Sequence, residues 1–477
     1  MHPTPRLAAA LLAGSGLGWP LLAQADLVED SHASLELRNF YFNRDFRQSG
    51  ARDNADEWAQ GFLLRLESGF SEGTVGFGVD AIGLLGLKLD SGGGSGGTGL
   101  LPAEGGAGGG AGGPPPPGPA PPPPGGAPPP PGGGRGAPGP APGGGGGPPG
   151  GGRAPTLSRG GAGGARGGRR PHGSAGGSQD DYAKLGLTAK ARVSNSLLKV
   201  GALHFKSPLV SANDTRLLPE LFRGALLDVQ EIDGLTLRGA HLDRNKLNSS
   251  SDYQVFSANR IGGRSDAFDF AGGDYRLTPA LTASLHQGRL RDIYRQTFAG
   301  LVHTLDLGGQ RSLKSDLRFA RASEDGGFRE LDNRAFGALF SLRLGAHAVA
   351  AGYQRISGAD PYPYIAGSDP YLVNFIQIGD FGNLDERSWQ LRYDYDFGAL
   401  GLPGLSFMSR YVSGDNVVRG AANDGKEWER NTDLGYVVQS GPLKNLGVKW
   451  RNATVRSNFA NDLDENRLIL SYSLTLW

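Results

Sequence analysis

Lys449 and Arg451 stand two residues apart in Val448-Lys449-Trp450-Arg451. In an extended backbone both cations point one way, while Val448 and Trp450 point the other. Three more arginines sit in alternating segments of the last third of the chain. Arg392 lies among Trp389, Leu391 and Tyr393, Arg410 lies in Phe407-Met408-Ser409-Arg410-Tyr411, and Arg467 opens the final segment. A guanidinium offers a planar fork that takes a carboxylate in two parallel hydrogen bonds. A row of such cations in a narrow, low-dielectric passage attracts anions and hands them from one site to the next. Each could instead be an ordinary interior charge neutralised by an acid such as Glu67, Asp80, Asp394 or Asp396.

Covalent and metal chemistry finds little support. The chain has no Cys, and its eight His include no His-x-x-x-His pair, so thiolate chemistry is excluded and no zinc site is expected. The one Gly-x-Ser-x-Gly string, Gly93 to Gly97 around Ser95, lies in low-complexity sequence without the strand-turn-helix context a nucleophile elbow needs. No phosphate-binding Gly-Lys-Ser/Thr motif occurs. The reading is therefore a non-enzyme without cofactors and without a nucleic-acid partner.

The cations must be positioned by strands. Leu468, Leu470, Tyr472, Leu474 and Leu476 form one apolar face at the end of the chain, with Trp477 out of phase, which predicts a bulge or frayed end. Trp58, Phe62, Leu64 and Leu66 oppose Arg65 and Glu67; Val75, Phe77, Val79, Leu85, Leu87 and Leu89 oppose Asp80 and Lys88; Leu185 and Leu187 oppose Lys184 and Lys190. Charges at strand centre suit a wet lumen behind a lipid-facing surface. The pattern predicts an all-β, transmembrane antiparallel barrel of about eighteen strands. They fall at 34–44, 58–70, 74–89, 182–193, 196–204, 225–233, 235–243, 266–277, 280–290, 296–306, 311–321, 334–344, 346–357, 387–397, 404–413, 432–440, 446–457 and 467–477. Connections at 71–73, 194–196, 308–310 and 401–404 are tight; those at 46–56, 205–224, 244–265, 358–386 and 414–431 are long. Short and long connections then lie at opposite ends, with both termini on the periplasmic side.

Arg6, the apolar run Leu7 to Leu22 and the small-x-small Ala23-Gln24-Ala25 read as a signal peptide over residues 1–25. First barrel strands follow at 26–90. Residues 91–179 hold 38 of the 80 Gly and 21 of the 32 Pro, and six Arg against the single acid Glu104. Such composition cannot bury a core, and predicts a disordered insert in the second extracellular loop. Its GC-rich codon composition fits an expanded or misread DNA tract as its origin. The rest of the barrel occupies 180–477. In the connection from His204 to Gly224, folding back into the lumen would bury Leu217, Leu218 and Phe222 and present Asp214 and Arg216 to the pore; a lid over the rim is the other arrangement. Tyr362, Tyr364, Tyr371, Phe375 and Phe381 in 358–386 either pack the loops together or form an outer constriction.

Ser34 to Asp45, Trp58 to Gly61 with Glu67 to Phe70, Gly73 to Ala81, Asp269 to Tyr275, Ser388 to Asp394, Pro403 to Met408 and Arg467 to Trp477 together resemble the OprD-type outer-membrane porins of pseudomonads. The resemblance covers nearly all of the mature chain except the insert. It implies an eighteen-stranded, mostly monomeric barrel in the outer membrane of a Gram-negative bacterium, with lipid and the barrel-assembly machinery as partners. The function it implies is passive uptake of small carboxylate-containing nutrients, amino acids, peptides or cyclic and aromatic acids, through a loop-constricted pore. Carried onto matching positions, it implies a basic ladder of Arg44, Arg392, Arg410, Lys449, Arg451 and Arg467, with Asp214 and Arg216 in the constricting loop. A surface enzyme or an adhesin displaying the insert is the alternative class.

Overall fold

The computed structural model describes residue 27 and residues 29–47, 54–90, 96–104 and 177–477. The expected signal peptide and most of the 91–179 tract lie outside the described residues.

The chain runs through β1 (His32–Phe46), β2 (Asn54–Glu67), β3 (Gly76–Asp90), β4 (Asp181–Val193), β5 (Ser196–Leu203), β6 (Leu221–Ile232) and β7 (Leu235–Lys246). It continues through β8 (Phe256–Asn259), β9 (Arg264–Ser265), β10 (Phe268–Thr278), β11 (Leu281–Leu290), β12 (Tyr294–Gly308), β13 (Arg311–Glu324) and β14 (Asp332–Leu344). The last third holds β15 (His347–Gly358), β16 (Tyr364–Ile365), β17 (Arg387–Asp396), β18 (Leu405–Arg419), β19 (Ala422–Val437), β20 (Gly447–Ser457) and β21 (Leu463–Thr475). Eighteen of these form one antiparallel barrel, while the short β8, β9 and β16 form a separate three-stranded sheet. Closure comes from β1, which pairs β2 on one side and β21 on the other in register from Ser34↔Thr475 to Phe46↔Leu463. No strand edge in the barrel is left for lipid, where an unpaired backbone polar group costs several kcal/mol.

Each of the eighteen segments expected from alternation corresponds to one barrel strand. The alternation also gives the right faces: Phe77, Val79, Leu185, Leu187, Trp389, Leu391, Leu434 and Trp450 are exposed on the outer surface, whereas Lys184, Lys190, Asp433 and Arg467 are buried on the inner one. After Thr475, Leu476 donates to the Ala33 carbonyl at 2.8 Å and the Trp477 carbonyl accepts from Ala33, so the last pair stays attached beyond the regular strand.

The expected long connection at 414–431 is overturned. β18 and β19 continue past the lipid as a hairpin and turn at Gly420, whose φ of +61° suits glycine, with register shifts between Gly414 and Arg419. Their extensions carry polar residues on both faces, which conceals a strand from a search for an apolar column but costs nothing in water.

Inside the 91–179 tract, residues 96–104 and 177–179 are ordered. Ala103 bridges Ser178, Glu104 donates to the Gly177 carbonyl at 2.7 Å, and Gln179 donates to that of Pro102 at 2.9 Å. Buried Glu57 accepts from the Thr98 amide at 3.0 Å and from the Thr98 and Ser178 hydroxyls. Leu100 and Leu101 pack with Phe40, Phe42, Leu63, Leu84, Tyr182, Leu217 and Leu218. Two leucines and a buried carboxylate thus anchor both roots of the tract inside the barrel wall, where a Gly/Pro count averages them away.

Candidate functional site

The site is built by five neighbouring strands, β17 to β21, and by β1. Because antiparallel partners share a face, cross-strand register decides which side chains meet. Arg392 pairs with Arg410, Arg410 with Asn431, Asp433 with Arg451, Arg451 with Arg467, and Arg467 with Phe42. All lie on the inward phase, so the arginines form one row that runs across the wall. Strands in a barrel tilt relative to its axis, so a row along the hydrogen-bonding direction also climbs the lumen.

Acids temper this row. Arg392 makes a bidentate pair with Asp394 at 2.7 and 2.6 Å. Asp433 accepts from Arg451 at 3.0 Å and lies 3.6 Å from the Lys449 ammonium. Glu465 accepts from Arg44 at 2.8 Å and from Arg467 at 2.6 Å. Two carboxylates therefore serve four cations. Arg410 has no ion pair among the described residues; it donates to Asn431 Oδ1 at 2.9 and 3.3 Å. Of the four acids suggested by sequence only Asp394 meets a member of the row. Asp80 pairs with Lys190 at 2.6 Å and Asp396 caps the short turn after β17 by accepting from Gly398, while Asp433 and Glu465 do the neutralising.

Two connections fold inward onto this wall. In the β5–β6 connection Leu217 and Leu218 are fully buried, as is Phe222 at the start of β6. Room comes from Gly86, where a Cβ would lie 2.9 Å from Leu217 and 2.4 Å from Tyr182. Asp214 accepts from Arg38 at 2.7 Å. Arg38 is an inward cation tied to this loop that sequence reading missed, although it shares the inward phase of Glu36 and Arg44. Arg216, expected to be presented to the pore, is instead only 6% exposed and lies over the Phe42 ring, whose face attracts its guanidinium. Arg44, Arg216 and Arg467 stand 5.1, 5.2 and 4.6 Å from that one ring centroid. A ring face attracts cations, so Phe42 gathers three guanidiniums that repel one another. Burial, and then the Arg467 charge, hold the Arg216 guanidinium well below its ordinary value; its Nε has no protein partner among the described residues.

The β15–β17 connection supplies the second inner loop. Tyr362, Tyr364 and Phe381 are buried and serve packing, while Tyr371 is exposed. Arg467 donates to the Gln377 carbonyl of this loop and to the Thr215 carbonyl of the other, each at 3.4 Å. Asn213 donates to Asp369 at 2.7 Å and Ser368 to Glu220 at 3.3 Å, which ties the two loops together. Burial pushes the Glu220 carboxyl up to about 7 and that of Asp369 up to about 6.

A closed barrel with apolar columns outside, charges inside and two loops folded into its lumen is an outer-membrane channel. The comparisons with known proteins agree. The chain belongs to the OprD family of outer membrane porins, whose pattern it matches over residues 25–111 and 156–476. It is 35% identical over 482 residues to the porin-like protein GalP of Pseudomonas putida, spanning 99% of this chain and 97% of that protein. It is 33% identical to Porin D of Pseudomonas aeruginosa, over 94% and 92%. The crystal structure of Pseudomonas aeruginosa OpdO shares 78% identity with a TM-score of 0.75, covering 95% of this chain and 100% of that one. That of OpdK with vanillate shares 37% with a TM-score of 0.76, covering 94% and 100%. The protein is an outer-membrane channel, and these relatives are porins rather than enzymes.

Proposed function

We propose that this porin passes small carboxylate-bearing solutes along the β17–β21 wall. The observation that carries the reading is the continuous inward row Arg392, Arg410, Arg451 and Arg467, in which Arg410 keeps its charge without an acid partner. Lys449 widens the row on the exposed side, and Arg44, Arg467 and Arg216 extend it to the loop that carries Asp214. A row with fewer acids than bases can hold a carboxylate at Arg392, Arg410 and Arg451 in turn, while Arg467, 1% exposed beneath both inner loops, anchors its end. Because the OpdK structure contains vanillate, an aromatic carboxylate, that class is the first to test.

The test uses purified protein in planar bilayers and solute-swelling vesicles, comparing vanillate with its uncharged alcohol. Vanillate should block the ionic current and permeate faster than the alcohol in the native chain, and the Lys449→Gln, Arg451→Gln double variant should lose that preference. Equal loss for the two solutes would refute the ladder reading.

A further inference from the structure

Six consecutive barrel strands each carry one outward arginine near the end away from the termini: Arg289 on β11, Arg295 on β12, Arg321 on β13, Arg334 on β14, Arg355 on β15 and Arg387 on β17. All six are exposed. Their neighbours along each strand, such as Leu290, Tyr294, Ala322, Ala335, Ile356 and Ser388, are buried, so the arginines lie on the outer, lipid-facing phase. Register brings them together in three directly opposed pairs, Arg289↔Arg295, Arg321↔Arg334 and Arg355↔Arg387.

Like charges directly opposite destabilise an antiparallel pair, so a collar of this kind needs anions. Protein supplies them only in part. Arg289 and Arg295 share Asp325 at 2.6 and 2.7 Å, and Arg334 reaches Asp332 at 3.2 Å. Arg321, Arg355 and Arg387 make no ion pair among the described residues. Asp415 stands across from Arg387 on β18 without bonding it.

The collar also has a defined height. Two residues closer to the membrane on the same outward phase stand exposed Phe319, Phe336, Tyr353 and Trp389, below Arg321, Arg334, Arg355 and Arg387 respectively. Trp389 continues the aromatic level to Tyr411 at 5.5 Å, and Tyr411 to Trp428 at 5.6 Å. Such a girdle marks the membrane–water interface. The tight turns at 194–195, 233–234, 309–310 and 345–346 lie at the opposite end, which is the periplasmic one in barrels of this kind. The arginines therefore sit at headgroup level in the outer leaflet, with their forks aimed sideways into lipid rather than into the pore.

We propose that this face binds phosphorylated headgroups of the outer-leaflet lipid, with Arg321, Arg355 and Arg387 supplying the forks and the aromatic row holding the acyl boundary. Arginine suits the role because it takes phosphate oxygens bidentately while its stem covers apolar surface. The inference is independent of what crosses the pore.

The test titrates the purified full-length protein, in neutral detergent, with lipopolysaccharide and with the same lipid enzymatically dephosphorylated. Native mass spectrometry reads the bound lipid. The native chain should prefer the phosphorylated form, and the Arg321→Ser, Arg355→Ser, Arg387→Ser triple variant should bind it about a hundredfold more weakly at low salt, from a contribution per arginine typical of an anionic surface. The Arg321→Lys, Arg355→Lys, Arg387→Lys triple variant, which keeps the charge, should retain most of the binding. Unaltered single-channel conductance shows that the variants have folded. Equal binding of the two lipids, or a triple Ser variant that binds like the native chain, would overturn the proposal. So would loss of a self-associated species with lipid binding unchanged, which would make the collar a contact between copies of the chain.

Discussion

Arg467 and Glu465, two residues apart on β21, form a 2.6 Å ion pair that both inner loops lean on. The carboxylate also takes Arg44, and accepts from Gln377 at 2.9 Å. Removing one partner of a buried pair leaves an uncompensated charge and costs about 3–5 kcal/mol. In Glu465→Gln two guanidiniums lose their shared acid beside Arg216. We expect a clear fall in the temperature at which the folded barrel unfolds in heat-modifiability gels, together with noisier single-channel current as the loops lose their common anchor. Arg467→Met, which removes a charge along with its loop contacts, should loosen the loops with a smaller loss of barrel stability. A Glu465→Gln barrel as stable as the native one would mean that the pair is not a structural anchor.

Arg410 and Lys449 should differ although both face the lumen. Lys449 is 51% exposed and shares Asp433 with Arg451, so solvent and salt screen it. Arg410 is largely enclosed and unpaired with acid. A charge-assisted hydrogen bond at such a site is worth roughly 1.5–3 kcal/mol, so Arg410→Gln should weaken block of the ionic current by vanillate about tenfold or more. Lys449→Gln should change it by less than about fivefold, and high salt should erase that smaller effect first. Blocking constants measured in planar bilayers at two ionic strengths decide between them.

Strand count and lumen phase were legible because lipid imposes an apolar column on one face of every strand, and a period of two survives even where single residues deviate. Where that pressure ends, so did legibility: above the membrane, β18 and β19 carry polar residues on both faces and read as a loop, although water tolerates the same ladder. Arg392, Arg410, Lys449, Arg451 and Arg467 fall on the inward wall because each has an outward aromatic or aliphatic residue beside it, whereas Arg44, between Asn43 and Asp45, was nominated by the family resemblance alone. Their acid partners were misjudged for a different reason. Asp433 meets Arg451 and Lys449 across strands, so only the register could nominate it over Glu67 or Asp396, while Glu465 reaches Arg44 across strands but Arg467 two residues along β21, a same-phase pair the sequence already held. Arg38 shares a phase with Glu36 and Arg44, which alternation alone could have flagged, but its partner Asp214 is 176 residues away. The grip of Leu100 and Leu101 on the wall was hidden by the average composition of the tract around them.

That grip predicts how the Gly/Pro tract responds to excision. Deleting residues 106–175 keeps the Ala103–Ser178 bridge and the Glu57 contacts with Thr98 and Ser178. Loop closure entropy changes only slowly with length, so the shortened chain should fold with native heat-modifiability and native conductance. Leu100→Asp, by contrast, sets a charge among Phe42, Leu63 and Leu217. It should lower folding yield sharply or disorder the adjoining inner loop. A deletion that abolished conductance while leaving the barrel folded would give the tract itself a part in transport.

Glu220 makes the joint between the two inner loops sensitive to pH. It accepts from Ser368 of one loop, from the Asn213 amide of its own at 3.2 Å and from Asn245 at 2.9 Å, and Lys184 caps the neighbouring Pro219 carbonyl at 2.8 Å. Burial raises its carboxyl from 4.5 to about 7, with the negative charge of Asp369 adding to the effect, and Asp369 itself rises from 3.8 to about 6. A raised carboxyl binds its proton more tightly when the loops are closed than when they open to water. Closure is therefore favoured fully below the ordinary carboxylate range, and that advantage is lost as pH climbs through about 6 to 7. Current fluctuations from loop opening should thus be rare at pH 5 and more frequent at pH 8. Glu220→Gln, which cannot ionise and keeps the shape, should stay quiet across most of that range, leaving only the smaller step from Asp369. Single-channel recordings of the two proteins over this interval check the sign, and fluctuations that grew on acidification would contradict it.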